Sequence, residues 1–155
     1  MDARLLGRRT YDIFADYWPG APDELPFTGL LNGVPKYVAS RTLTDPLRWR
    51  GSTVISEPFA EGIATLKERH DEIHVIGSLD LVQSLLGFDL IDRLELWVHP
   101  VVLGSGKRVF ADGTVPAALR LVDSAASPNG VLQLTYGTAG TPNYGDMTSQ
   151  DQRGA

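Results

Sequence analysis

The sequence predicts a three-layer α/β fold with a mostly parallel sheet and an antiparallel C-terminal hairpin. Three observations carry that reading. Short apolar blocks alternate with segments of helical periodicity through the first two-thirds of the chain, the pattern of strands joined by crossover helices. Two β-like runs, Leu119–Ala126 and Val131–Gly137, flank Ser127-Pro128-Asn129-Gly130, and Asn-Gly between such runs is a strong hairpin signal. The chain has 155 residues, of which 43% are apolar, enough for one core. The expected organisation is a single domain over residues 1–137 and a flexible polar tail over 138–155.

The elements follow in order. Ala3–Leu6 is a strand that stops at Gly7. Thr10 is placed to cap a helix running through Tyr17, with Tyr11, Phe14 and Trp18 at helical spacing. Pro19-Gly20 ends it, and the stretch to Pro35, rich in Pro and Gly, reads as loop. Lys36–Ser40 and Thr53–Ser56 are strands. Pro58 suits the first turn of a helix, where its missing N–H has no partner to lose, and Phe59, Ile63, Leu66 and His70 fall on one face. Ile73–Ile76 is a strand that runs into Gly77-Ser78. Ser78 can cap a helix with Asp80 in its first turn and Leu81, Leu85 and Leu86 facing inward, and Gly87 stops it. Leu94–Val98 is the strand before the hairpin.

Composition excludes several classes. The net charge of −5 gives no global attraction for nucleic acid or anionic lipid, so no nucleic-acid or membrane partner is expected and any anion site is local. Without Cys there are no disulfides, thiolate metal sites, Cys nucleophile or zinc-deaminase signature. The N-terminal residues lack the apolar run of a signal peptide, and the expected location is cytoplasmic. His70 and His74 do not share a helix face and make a poor metal pair, so no metal is expected. Trp18, Trp49 and Trp97 read as core or pocket wall, with Tyr11 and Trp18 as candidate cleft residues. Asp12 and Asp16 read as exposed carboxylates.

Local anion sites are suggested by three segments. Pro100–Phe110 runs from an apolar stretch through Gly104-Ser105-Gly106 into Lys107-Arg108, placing backbone N–H groups and charge together. Gly7-Arg8-Arg9-Thr10 is a basic helix start, and Ser40-Arg41-Thr42 ends a strand. On residue chemistry alone, Arg8 and Arg9 read first as solvated surface cations, while Ser40–Thr42 also fits ordinary turn chemistry and Gly104 and Gly106 fit a bulge or loop. In a parallel sheet, however, Gly7, Ser40 and Gly77 all follow strands and would converge on the edge where such sheets bind ligands.

Gly7-Arg8-Arg9-Thr10-Tyr11, Lys36–Leu43, Val75-Ile76-Gly77-Ser78 and His99–Lys107, with the Ile91-Asp92-Arg93-Leu94 lead-in, resemble in order the motifs of the dihydrofolate reductase superfamily. The branch most similar is the reductase domain of bacterial riboflavin biosynthesis, the RibD C-terminal domain. The resemblance covers about residues 3 to 137. It implies an NADPH-dependent reductase that transfers hydride to a small heterocyclic substrate. It places the cofactor against Gly7, Arg8, Arg9, Thr10, Ser40, Arg41, Thr42, Ile76, Gly77, Ser78 and Leu79, with Arg41 near the 2′-phosphate. The alternative is a non-catalytic nucleotide-binding or dimerisation module of the same fold, and a homodimer is among the expected partners.

Two departures bear on this. Ile76 stands where riboflavin reductases usually carry an acid, and Ser78 replaces the second glycine of a Gly-Gly pair. The family also begins with a strand and an acidic loop that would precede residue 1, so the chain is expected to be N-terminally truncated. Its catalytic residues are therefore unassigned. The gap beside Ile73–Ile76 would leave an inactive fragment, be filled by a second chain, or close by direct pairing with Leu94–Val98.

Overall fold

The computed structural model describes residues 1–55 and 58–145; the expected strand end at Ser56 and the tail beyond 145 lie outside them. The chain forms two compact units, Met1–Leu90 with Lys107–Thr114, and Ile91–Gly106 with the residues from Val115 onward.

The first unit is built on a four-stranded parallel sheet, with β1 (Ala3–Gly7), β2 (Lys36–Ala39), β3 (Ser52–Ile55) and β4 (Ile73–Val75) in the order β3-β2-β1-β4. β1 has a strand on each side and all five of its residues are buried. That is why it reads as a nearly continuous apolar run rather than an alternation. The crossovers carry α1 (Arg8–Tyr17), α2 (Thr28–Gly33) and α3 (Phe59–Arg69), and α4 (Leu79–Gly87) follows β4. Leu6, Tyr11, Ala15, Leu31, Val38 and Trp49 form one buried cluster. The Tyr11 hydroxyl accepts the Trp49 backbone N–H at 3.1 Å.

Several local expectations are corrected. α1 starts at Arg8 with Gly7 as an extended N-cap, so Thr10 lies inside the first turn and caps nothing. Gly7 supplies no side chain, which leaves the helix start without a side-chain cap. The stretch read as loop contains α2. Its glycines and flanking prolines hide it from propensity, and tertiary contacts hold it instead. Leu31 enters the core, while Asn32 donates to Trp18 O at 2.9 Å and accepts from Trp49 Nε1 at 2.8 Å. α3 ends at Arg69, so His70 follows the helix, where its Nε2 meets the Tyr37 hydroxyl at 2.9 Å. α4 starts after Ser78, which stands at the N-cap position but makes no side-chain cap bond, and it buries Leu81 and Leu85 as its spacing predicts, whereas Leu86 is only half-buried.

The second unit holds a three-stranded antiparallel sheet of β5 (Arg93–Val98), β6 (Leu119–Ala126) and β7 (Leu132–Thr138), in the order β5-β7-β6. The hairpin at Asn129-Gly130 is present, with Gly130 at φ +84° where a side chain would be strained. Parallel and antiparallel parts are thus both found, but as separate sheets. Among the described residues β4 pairs only with β1 and β5 only with β7, so direct pairing of these two strands is not the outcome. Trp97, expected in a core or pocket wall, is 65% exposed on β5. Among the described residues, no helix is long and apolar enough to cross a membrane.

Candidate functional site

Parallel strands deliver their C-terminal ends to one edge of a sheet, and β1, β2 and β4 are direct neighbours. The residues that follow them, Gly7–Thr10, Ser40–Thr42 and Ile76–Leu79, therefore share that edge of the first unit.

The β1 and β4 ends are in contact. Gly7 N–H donates to Gly77 O at 3.1 Å. A Cβ on Gly7 would stand 2.5 Å from Ser78 Oγ and 2.9 Å from Ser78 N, so only glycine allows this approach. Gly77 has φ +108°, which favours glycine, and a Cβ there would come 3.2 Å from Thr10 Oγ1. The Gly77–Ser78 peptide is cis. Two helices, α1 and α4, thus start side by side from Gly7 and Ser78, and neither carries a side-chain cap. Their first-turn N–H groups and positive dipole ends point to one edge, which suits an anion.

The β2 end adds cations. Arg8 donates to Thr42 Oγ1 and lies 3.6 Å from Asp12, one helical turn on. This contact ties the first helix start to the Ser40–Thr42 loop. Ser40 Oγ accepts the backbone N–H of Thr42 at 3.2 Å and of Leu43 at 3.0 Å, shaping the turn from within. Arg9 and Arg41 are exposed and have no hydrogen-bond or ion-pair partner among the described residues. Ile76 is half-exposed and Leu79 half-buried; each can offer a ligand only apolar surface and backbone.

The structure also places the other residues singled out in the sequence. Tyr11 is buried in the core, whereas Trp18 is partly buried against Phe14 and Tyr17. Asp12 and Asp16 pair with Arg48, and this pairing raises the Arg48 pKa, chiefly through its hydrogen bond to Asp16. His74 lies 3.2 Å from Glu72. Gly104 and Gly106 adopt φ of +73° and +151° in an exposed stretch where the chain passes between the two units. Sequence reading missed the Arg8–Asp12 pair, although its i,i+4 spacing is visible, and the Gly7–Ser78 approach, which no local signal shows.

The RibD C-terminal domain model matches residues 1–133. The chain belongs to this family. The uncharacterized protein YyaP of Bacillus subtilis strain 168 is 30% identical over 140 residues, covering 88% of this chain and 73% of YyaP. A Shewanella sp. PV-4 crystal structure, of a protein named for riboflavin biosynthesis, matches with a TM-score of 0.71 at 22% identity, covering 89% of this chain and 74% of that one. The Thermotoga maritima diaminohydroxyphosphoribosylaminopyrimidine deaminase/5-amino-6-(5-phosphoribosylamino)uracil reductase matches with a TM-score of 0.60 at 20% identity, over 89% of this chain and 45% of that one. At these identities the two structures show the fold that RibD C-terminal domains share.

Proposed function

We propose that this RibD C-terminal family member is an NADPH-dependent reductase acting on a small heterocyclic substrate. The observation that carries the reading is the convergence of three strand-end loops on one sheet edge, with two uncapped helix starts and three arginines. The chain's own features fit a doubly phosphorylated dinucleotide. Gly7 and Gly77 keep side chains out of the joint between the helix starts, so the first-turn amides of α1 and α4 are free to bind the pyrophosphate. Arg8, already oriented by Thr42 and Asp12, neutralises phosphate charge, and Arg41, free of protein partners among the described residues, takes the 2′-phosphate. NADPH supplies the hydride when bound; the protein orients it and screens its charge. No residue of this edge is assigned as proton donor; Asp12, one turn into α1, is held by Arg8 and Arg48.

Titrating the purified protein with NADPH and NADH, followed by nicotinamide fluorescence, tests the reading. Tight binding of NADPH and weaker binding of NADH support it; no binding of either defeats it. A second reading, a nucleotide-binding or dimerisation module without turnover, is favoured by the exposed Trp97, Val98, Leu121 and Val122 of the second unit. NADPH binding with no oxidation in the presence of pyrimidine substrates, in a protein that is dimeric by light scattering, would favour it.

A further inference from the structure

The strands at the margins of a sheet carry unpaired N–H and C=O groups, and such an edge is a template for a further strand. In the second unit the edges are β5 and β6, with β7 between them. Thr138 N–H donates to Asp92 O at 3.3 Å, which fixes the phase of the β5–β7 ladder. In an antiparallel pair, opposed residues that exchange bonds alternate with those that do not. Leu94, Leu96 and Val98 therefore bond to β7, and the backbone groups of Arg93, Glu95 and Trp97 point away from it. Among the described residues no partner for these outward groups is found.

The other open edges are guarded. On β3 the Asp45 carboxylate accepts Val54 N–H at 3.2 and 3.3 Å. On β6 the register with β7 shifts between Leu121 and Asp123, an irregularity that spoils an edge for pairing. β4 has only three residues. β5 instead runs for six residues in unbroken register, without proline. Its side chains sort by face: Leu94, Leu96 and Val98 lie beside Leu132, Leu134 and Tyr136, while Arg93, Glu95 and Trp97 lie on the other side.

We propose that β5 is a self-pairing edge: a second copy of this chain adds its own β5, antiparallel, across a two-fold axis at Leu96, making one six-stranded sheet. The axis position follows from the residues. A two-fold axis through the sheet returns each face to itself, so it passes through a residue. Centred on Glu95, it would set two carboxylates directly opposite, which is destabilising. Centred on Leu94 or Trp97, it would run each strand past the end of the other, opposing Trp97 to Ile91 or Glu95 to His99. Centred on Leu96, it pairs residues 94–98 throughout. Leu96 meets Leu96 and Leu94 meets Val98 on the apolar face, and Glu95 and Trp97 exchange the backbone bonds that the single chain leaves unmade. The contact does not rest on the reductase reading.

The test is made on the full chain without nucleotide, by light scattering across a dilution series and by cross-linking. Wild type is expected to scatter at twice the chain mass. Glu95→Pro removes one outward N–H and leaves the bonds to β7 intact, a position where an edge strand accepts proline; it is expected to scatter as a monomer with an unchanged circular dichroism spectrum. The chain has no cysteine, so single substitutions report the register. Two Leu96 Cα atoms facing each other in a non-hydrogen-bonded pair stand about 4.5 Å apart, within the range of about 4.4–6.8 Å that a disulfide spans. Leu96→Cys is therefore expected to form a disulfide-linked dimer on mild oxidation. Leu94→Cys is not, since the two positions lie four residues apart along the strand, about 13 Å. The cysteine pair decides the matter if Glu95→Pro does not fold. A monomeric wild type, a dimeric Glu95→Pro, or Leu94→Cys linking as readily as Leu96→Cys would overturn the proposal, and each leaves the nucleotide titrations to be judged on their own.

Discussion

Replacing Gly7 by Ala probes the joint on which the cofactor edge is built. The new methyl group would stand 2.5 Å from Ser78 Oγ, 2.9 Å from Ser78 N and 3.2 Å from Ser78 Cβ. A rotating hydroxyl could escape the first contact, but the second is with backbone, so the Ser78 segment has to move. That movement strains the Gly7 N–H to Gly77 O hydrogen bond, at 3.1 Å the direct tie between the two strand ends. Overpacking typically costs about 1–3 kcal/mol, a buried hydrogen bond left without its partner about 1–3 kcal/mol, and the two overlap, giving roughly 3 kcal/mol. For a chain of this size that lowers Tm by about 6–12 °C. Urea unfolding of Gly7→Ala, Ser78→Gly and the double variant measures it. Ser78→Gly removes the hydroxyl and Cβ contacts but not the one to Ser78 N, so the double variant should recover part of the loss and not all of it. If Gly7→Ala unfolds like wild type, or if the double variant is fully restored, the backbone approach described here is wrong.

Two further outcomes concern Arg41 at the strand ends and Lys36 at the strand starts. Arg41→Ala should weaken NADPH binding roughly 10–100-fold, the loss of one charge-assisted contact to phosphate, and leave NADH nearly unchanged; equal weakening of both in fluorescence titrations would remove Arg41 from the 2′-phosphate. Lys36, held at about 8 against its ordinary 10.5, binds fewer protons folded than unfolded between those two values, so the stability it contributes rises with pH across that window. Between pH 7 and 9.5 wild type should gain about 2 kcal/mol relative to Lys36→Met, which keeps the volume and loses the charge; parallel stability curves for the two proteins in urea would show that Lys36 is not a desolvated ammonium.

The fold was legible wherever local pattern and tertiary role agree. β1 and its turn at Gly7 are visible because a strand buried on both faces needs an apolar run and an abrupt exit. The hairpin is visible because Asn129-Gly130 meets a backbone requirement that few residues satisfy. α2 was not legible, because Leu31 and Asn32 stabilise it through contacts with residues distant in sequence. The partition into two sheets was likewise hidden: strand propensity does not say which strands pair. Arg4 shows a different limit. A cation inside an apolar strand reads as pointing outward, and only the register with Lys36 and the surrounding burial reveal that it does not. At the candidate site, the glycines and arginines were named from sequence, whereas the contacts that join them, Gly7 with Ser78 and Arg8 with Thr42, belong to the assembled sheet edge.

In the proposed site three strand-end loops serve one ligand. Backbone amide spectra of the labelled protein, recorded as NADPH is added, address this residue by residue. Arg8, Arg9, Thr10, Arg41, Thr42, Ser78 and Leu79 should shift together along a single binding curve. Perturbation confined to the β5–β7–β6 sheet, or to only one of the three loops, would contradict it.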